Sequence, residues 1–482
     1  MNYSFPASAH FVNRADDLDA LERWWEGADR NALNLYGRRR VGKSWLFRKF
    51  ADGKPATILV AERLAQGSQL SRLSSALEQD LGFTPQISDV PQLVRLLYQL
   101  GRESKRLVVL DEFPYLLPRA EVARDEVLTA IQAVMEEERD QSNTKLILCG
   151  SHIGSMQALM SEGCALRGRL TPLNVTPMTI AEAGPLLTDT DPEKRIERFA
   201  VAGGMARYLA ELGSGGTLRA RVCAQLLDHR GALFNDPREV LEQELEQVAT
   251  YFSILQELSS GHKSAGEIAA PIGMKVTSLG RPLDTLRDMK VIDRYTPINA
   301  RPEHTKSRYG IADPFLRFWF RFVFPFQEDL SSGLAAGSLY DLEIAPNLAD
   351  HVAPVFEALC RTWVRSNRGE KISRVASWWG PTTKTGRDAG RSSEEIDVVA
   401  TGAGRVRVIG ECKWTTAPPS VSLLAALDDY KIPALRADKL RIARDCEKII
   451  FSRSGFTDGL IAAAAKDSSI SLVAAADLLS GI

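Results

Sequence analysis

No stretch of this 482-residue chain stays apolar for the roughly 20 residues that a membrane-spanning helix requires. Its first ten residues, MNYSFPASAH, lack a basic segment followed by an apolar one, so no export is expected and a cytoplasmic location is. Cysteine is scarce: six are scattered without paired or metal-ligand spacing, which excludes a disulfide framework and fits reduced thiols. An excess of either charge is missing too. With 60 basic and 61 acidic residues the net charge is −1, so any nucleic-acid contact must come from local basic patches. There is no internal repeat and no long low-complexity segment. What remains is 44% hydrophobic and 25% charged, a globular composition in a chain too long for one ordinary core. About two to four domains are expected.

The first of these handles a nucleotide. In NALNLYGRRRVGKSWLFRKF (31–50) an apolar strand-like run leads into Gly37-x-x-x-x-Gly42-Lys43-Ser44, and helical periodicity follows. This is a phosphate-binding loop in its required strand-before, helix-after setting. Glycines let backbone N–H groups close around phosphate oxygens, and the helix N-terminus adds a favourable dipole. Lys43 reaches the terminal phosphates, and the Ser44 hydroxyl ligates Mg²⁺. KRLVVLDEFPYLL (105–117) is apolar on both faces, as a central parallel strand should be, and ends in Asp111-Glu112. Asp111 suits the Mg²⁺, and Glu112 suits polarising the attacking water. A third such strand, in TKLILCGSHIGSM (144–156), ends in Gly150-Ser151-His152, with Ser151 placed to sense the γ-phosphate. His152 reads as a plain loop residue.

FVNRADDLDALERWW (11–25), GRRRVGKS, LDEFPYLL and CGSHIGSM together resemble the archaeal-type ATPases related to the AAA+ and STAND classes. LRGRLTPLNVTPM (166–178) and GGMARYL (203–209) are similar to later positions of that family. The resemblance implies ATP as cofactor and puts the Asn13-Arg14 turn near the adenine. It also makes Arg169 and Arg207 candidates for contacting phosphate, from a lid or a neighbouring copy in a homo-oligomer. An ordinary surface role stays open for both arginines. The family usually has proline where Ala206 stands here, which leaves the lid turn less preset.

From Leu245 the pattern becomes three short helical stretches, a strand VIDRYTPI, a returning strand at 308, and an aromatic helix through residue 322. Three helices and a two-stranded wing make a winged helix-turn-helix, and the family resemblance agrees. Its third helix, around Thr277–Met289, would enter the major groove of DNA. Lys275, Arg281, Arg287 and Lys290 would contact phosphate, and Thr277 and Ser278 base edges. A protein-docking role for this module stays open. Phe315, Phe318, Trp319, Phe320, Phe322 and Phe324 cover several helix faces and read as packing.

SSGLAAGSL (331–339) reads as a linker. Beyond it come a helix at 348–365, then SWWG, EEIDVVA and RVRVIGECKW as strands, helices containing LLAALDDY, and a last strand KIIFS. In GECKW, Glu411 and Lys413 are two apart and share a strand face, with Cys412 opposite. A hairpin loop at 402–406 would place Asp397 directly across from Glu411; a tighter loop at 401–404 would offset the two by three residues. Like charges directly opposite destabilise a strand pair. A hard divalent cation would offset that repulsion. With Glu357 from the helix as a third acid and Lys413 acting on the attacking water, the set resembles the PD-(D/E)XK restriction-endonuclease fold, in the form of the nuclease-like domain often fused to these ATPases. The metal implied is Mg²⁺, with Mn²⁺ an alternative. An inactive nuclease fold and a simple charged strand end stay open.

The expected organisation is α/β throughout: a P-loop ATPase core at 1–180, a helical lid at 181–244, a winged helix at 245–330 and a nuclease-like domain at 340–482. The function expected is an ATP-dependent or ATP-gated DNA endonuclease in mobile-element biology or defence. The alternative is a nucleotide-switched DNA-binding or signalling ATPase whose nuclease fold does not cut.

Overall fold

The structure is a computed structural model that describes residues 3–7, 11–28, 30–245, 247–300, 307–382 and 393–481. The loop expected between the two wing strands falls at 301–306 and lies outside the described residues, as does the segment ahead of EEIDVVA. Two compact units divide the chain. One comprises Met1–Met178 with Met205–Arg207, the other Thr179–Gly204 with Tyr208–Ile482. The segments expected as lid, winged helix and nuclease-like domain thus fall within one unit, apart from Met205–Arg207.

In the first unit five strands form a parallel sheet in the order β2-β3-β4-β1-β5. They are β1 (Ala32–Tyr36), β2 (Ala56–Val60), β3 (Arg106–Asp111), β4 (Thr144–Gly150) and β5 (Leu170–Asn174). β1 and β4 are buried at every position, as central parallel strands are, and the one polar residue inside β1, Asn34, donates to the Met156 carbonyl at 2.8 Å. Because all five run the same way, the loops leaving β1, β3 and β4 emerge at one edge. That shared edge positions the first site.

The second unit contains helices Val248–Ser259, Ala265–Ala269 and Gly280–Asp288, followed by an antiparallel pair of β6 (Ile292–Tyr295) and β7 (Arg308–Ile311). The third helix starts later than expected. Thr277 and Ser278 lie on a separate 3₁₀ turn, Val276–Ser278, ahead of it. Pro282 explains the start: its missing N–H is harmless only in a first helical turn. In helix Pro314–Phe322, Phe315, Phe318, Trp319, Phe320 and Phe322 are buried, the packing role their spacing suggests. The stretch 331–339 is not an open linker. Gly333 turns the chain at φ +108°, and Ala336–Leu339 is helical with Leu339 buried.

Helix Leu348–Arg368 then packs on a mixed sheet of order β12-β11-β10-β9-β8. Its strands are β8 (Arg374–Pro381), β9 (Ser393–Gly402), β10 (Arg405–Lys413), β11 (Ile442–Ser452) and β12 (Ile470–Ala474). β12 is one strand more than the sequence reading supplied; Ile470, Leu472 and Val473 are its apolar signal. β9 and β10 are joined by a two-residue turn, Ala403–Gly404, both residues at positive φ as tight hairpins demand. Pairing begins Arg405 with Gly402 and Val406 with Thr401, then shifts so that Val408 faces Ala400 and Gly410 faces Val398. Arg407 is the extra residue of a β-bulge. The pairing of β9 with β10 ends at Gly410 and Val398, and β9 has a further irregularity between Ile396 and Val399 where it pairs with β8. The turn is shorter than either loop expected, 402–406 or 401–404, and the bulge at Arg407 then shifts the register by one residue.

Candidate functional sites

At the edge of the parallel sheet the phosphate loop runs from the end of β1 into helix Lys43–Ala51. Its glycines are sterically enforced. A Cβ on Gly37 would lie 2.3 Å from the Val175 carbonyl oxygen, and Gly42 sits at φ +103°. Lys43 is buried and its ammonium donates to the carbonyls of Gly37 (2.8 Å) and Arg38 (3.2 Å). Ser44 Oγ donates to Asp111 Oδ2 at 3.2 Å, joining the loop to the end of β3. Burial pushes the Asp111 carboxyl up, and neighbouring Glu112 adds to this, while Cys149, Lys43 and Ser44 oppose it. A hydroxyl and a carboxylate in contact beside a phosphate loop fit Mg²⁺, which keeps few protein ligands and takes the rest from phosphate and water. Bound there between Ser44 and Asp111, the ion would neutralise phosphate charge.

Glu112 stands at φ +54°, unusual for a glutamate, and its Oε2 accepts from Ser151 N (3.2 Å) and Ser151 Oγ (2.9 Å). The expected water-polarising acid and γ-phosphate sensor are therefore tied to each other, side by side at the ends of β3 and β4. His152 caps helix Ile153–Ala158 through its ring nitrogen. Arg207 N donates to the Arg40 carbonyl of the phosphate loop, and the Ala206 methyl lies 3.2 Å from the Cβ position of Gly42. Residues 205–207 thus close on the loop even with alanine where proline was expected. Arg14 is buried and braces the same loop, donating to Val41 O (2.8 Å) and Thr176 O (2.6 Å).

Arg169 lies away from the phosphate loop of its own chain. It precedes β5, its carbonyl accepts from Ala32 N at the start of β1, and its guanidinium pairs with Glu136. That is the amino-terminal edge of the sheet. The phosphate loop is at the carboxyl edge, about 17 Å away for a five-residue strand, so Arg169 does not reach the phosphate site of its own chain.

The second candidate site forms where the end of β10 lies beside the first half of β9. Glu411 is 1% exposed, with Lys413 Nζ 3.3 Å from Oε2 and Lys431 Nζ 2.5 Å from Oε1. Asp397 Oδ2 accepts from Cys412 N at 2.8 Å, and Arg361 donates to the Asp397 carbonyl at 2.9 Å. Arg361 also lies 3.6 Å from Glu357, one helical turn away. Burial and then Asp397 push the Glu357 carboxyl up to about 7, with Arg361 opposing. The same two causes push Glu411 up, against Lys431 and Lys413. Burial disfavours the charge on Lys413, but Glu411 and Asp397 outweigh it and raise its affinity for the proton.

Glu411 and Lys413 share a face as their spacing requires, yet Glu357 comes from the other side. Cys412, opposite them, meets Cys360 of the helix that carries Glu357. Asp397 stands between, coupled to both glutamates. Carboxylate oxygen is the right chemistry for a divalent ion. However, among the described residues no group of three or more Asp, Glu, His or Cys is placed to hold one. Lys413 and Lys431 already supply the positive charge that a cation would bring to Glu411. The residues as arranged do not form a metal centre. Sequence reasoning missed Lys431, whose helix lies outside any motif, and Arg361, whose i,i+4 spacing from Glu357 was visible.

All six cysteines are free, and among the described residues no helix is long and apolar enough to cross a membrane. Residues 11–212 match the family model of an ATPase domain found predominantly in Archaea, and residues 319–423 match that of archaeal and bacterial proteins of unknown function. An uncharacterized protein of Methanocaldococcus jannaschii is 24% identical over 468 residues, covering 93% of this chain and all of the relative. An uncharacterized ATP-binding protein of the same organism is 52% identical over 44 residues, 9% of this chain and 75% of its own. A Walker-type ATPase of Pyrococcus abyssi superimposes with a TM-score of 0.50 at 20% identity, covering 66% of this chain and 98% of its own. The phosphate loop, its Asp111–Ser44 contact and these matches converge on an archaeal-type ATPase domain of P-loop fold, followed by a separate α/β sheet domain.

Proposed function

We propose that this chain is an ATP-gated DNA-processing enzyme: nucleotide hydrolysis in the first unit controls a phosphodiester-directed centre in the second. In this reading residues 245–330 act as a winged helix on DNA and residues 340–482 as a nuclease-like domain. The observation that carries it is the meeting of Asp397, Glu411 and Lys413 where the end of β10 lies beside β9, with Glu357 near Asp397. Three carboxylates gather there, and burial with the charge of Asp397 raises Glu357 to about 7 and pushes Glu411 up, a pattern that functional sites concentrate. A cleavage assay on linear, nicked and single-stranded DNA, with Mg²⁺ and with or without ATP, tests it. ATP-responsive cutting is expected, and its absence on every substrate overturns the enzymatic reading.

A second reading has one observation behind it. Both oxygens of Glu411 are engaged by lysines, which suits a nuclease-like fold that holds the DNA backbone without cutting. The same assay, paired with a binding measurement, separates the two.

DNA contact itself has a measurable signature. Lys275 and Arg281 are exposed, whereas Arg287 is paired with Asp284 at 2.9 Å. Each lost phosphate contact removes about 0.9 from the log–log salt slope on duplex DNA. Lys275→Ala and Arg281→Ala are each expected to reduce the slope by about that much, and Arg287→Ala by less. An unchanged slope would assign this module to protein docking.

A further inference from the structure

The second unit contains a cavity of about 380 Å³ that shares Arg361 with the second candidate site but otherwise lies outside both. That volume lies at the small end of the range for small-molecule pockets. Its walls include Val355 and Leu359 from the long helix, His262 and Tyr295, whose rings stack at 4.0 Å, and two arginines, Arg317 and Arg361. Arg317 is the anomaly. It is 7% exposed and its side chain donates to the His351 carbonyl, but its Nε has no acceptor among the described residues. No carboxylate forms an ion pair with it among those residues either; the nearby Glu357 is engaged by Arg361 at 3.6 Å.

A buried cation without a counter-ion is strongly unfavourable, and such groups are found paired, deprotonated or facing a ligand. Burial does lower the Arg317 pKa, to about 10, which leaves it charged at neutral pH. His262, held down to about 4 by burial and the nearby arginines, adds no charge. We propose that the cavity binds a small phosphate monoester with a flat, largely apolar body, of the nucleoside monophosphate class. Arg317 and Arg361 take the phosphate, since two planar guanidinium forks match a dianion. The His262–Tyr295 pair and the aliphatic wall take the body. Arg361 also donates to Asp397, so an occupant would share a residue with the neighbouring carboxylate centre. The inference holds whether or not that centre cuts DNA.

The test uses the full-length chain carrying Lys43→Ala, so that the phosphate loop does not compete for the probe. Calorimetry and thermal melting are run with thymidine 5′-monophosphate, thymidine and inorganic phosphate. The monophosphate is expected to bind and raise the melting temperature, and the other two to bind roughly tenfold or more weakly. Arg317→Met should melt no lower than its parent, because it removes an uncompensated charge, and should lose roughly tenfold or more in affinity. Ala358→Trp fills the cavity with Arg317 intact and should abolish binding even if the methionine variant fails to fold. No binding at millimolar monophosphate, or undiminished binding in Ala358→Trp, overturns the proposal.

Discussion

A Lys43→Ala chain is expected to lose tight nucleotide binding, whereas Glu112→Gln keeps it and loses turnover. The two residues sit within one site but act on different partners. Lys43 is buried at the loop, with its ammonium on the Gly37 and Arg38 carbonyls. Those are neutral acceptors that a phosphate would outcompete. Charge-assisted contacts are worth about 1.5–3 kcal/mol each, so an affinity loss on the order of tenfold to a hundredfold or more follows. Among the described residues the Glu112 carboxylate accepts hydrogen bonds from Ser151 alone, and glutamine keeps an oxygen for that contact. Binding should therefore change little while hydrolysis falls on the order of 10²–10⁴-fold, the usual size of a general-base contribution. Fluorescent-nucleotide titration and phosphate release measure the two quantities separately. Equal loss of affinity in both variants would remove the role assigned to Glu112.

The second large effect concerns Glu411. Asp397→Ala is expected to abolish cleavage while the full-length chain melts at or above wild type. It removes the carboxylate that pushes both Glu357 and Glu411 up, and opens no apolar cavity. Lys413→Ala should also abolish cleavage, with little change in melting, because Lys431 still holds Glu411. Lys431→Ala should do more harm to stability than Lys413→Ala, since its contact is shorter and its side chain more buried, 17% exposed against 35%. A purely structural cluster predicts another pattern: wild type cuts nothing, and both lysine variants melt well below it by similar amounts. Breaking one partner of a buried pair costs about 3–5 kcal/mol when nothing replaces it, so this outcome would be unmistakable.

The two sites differ in how far the sequence disclosed them. The phosphate loop was legible because its residues are local: a glycine that cannot bear a side chain, a lysine and a serine within eight positions, between a strand and a helix. Asp111, Glu112 and Ser151 followed because parallel strands deliver their carboxyl ends to one edge whatever the strand order. Arg169 stands apart for the same reason. The motif around it gave no sign that the residue precedes its strand, at the far edge. At the second site the alternation of β10 was certain, but the face from which Glu357 arrives depends on helix packing that no local pattern encodes. Lys431 comes from a helix twenty residues beyond Glu411, and nothing in its neighbourhood marks it as polar machinery.

The single extra residue at Arg407 gives β10 a parity. Every position after it owes its side of the sheet to that one insertion, while the turn before it is fixed by two positive-φ residues. Deleting Arg407 alone would leave all four candidate residues in the chain and all their neighbours in sequence. Val408 would then follow Val406 directly and still face Ala400, and each later position would keep its partner and its side of the sheet. The reverse change is the damaging one: a strand that keeps this length but pairs without the bulge would exchange the faces of Glu411 and Cys412. A relative one residue shorter between Gly404 and Glu411 can therefore carry the same centre, so that the count of residues there is to be read together with the pairing.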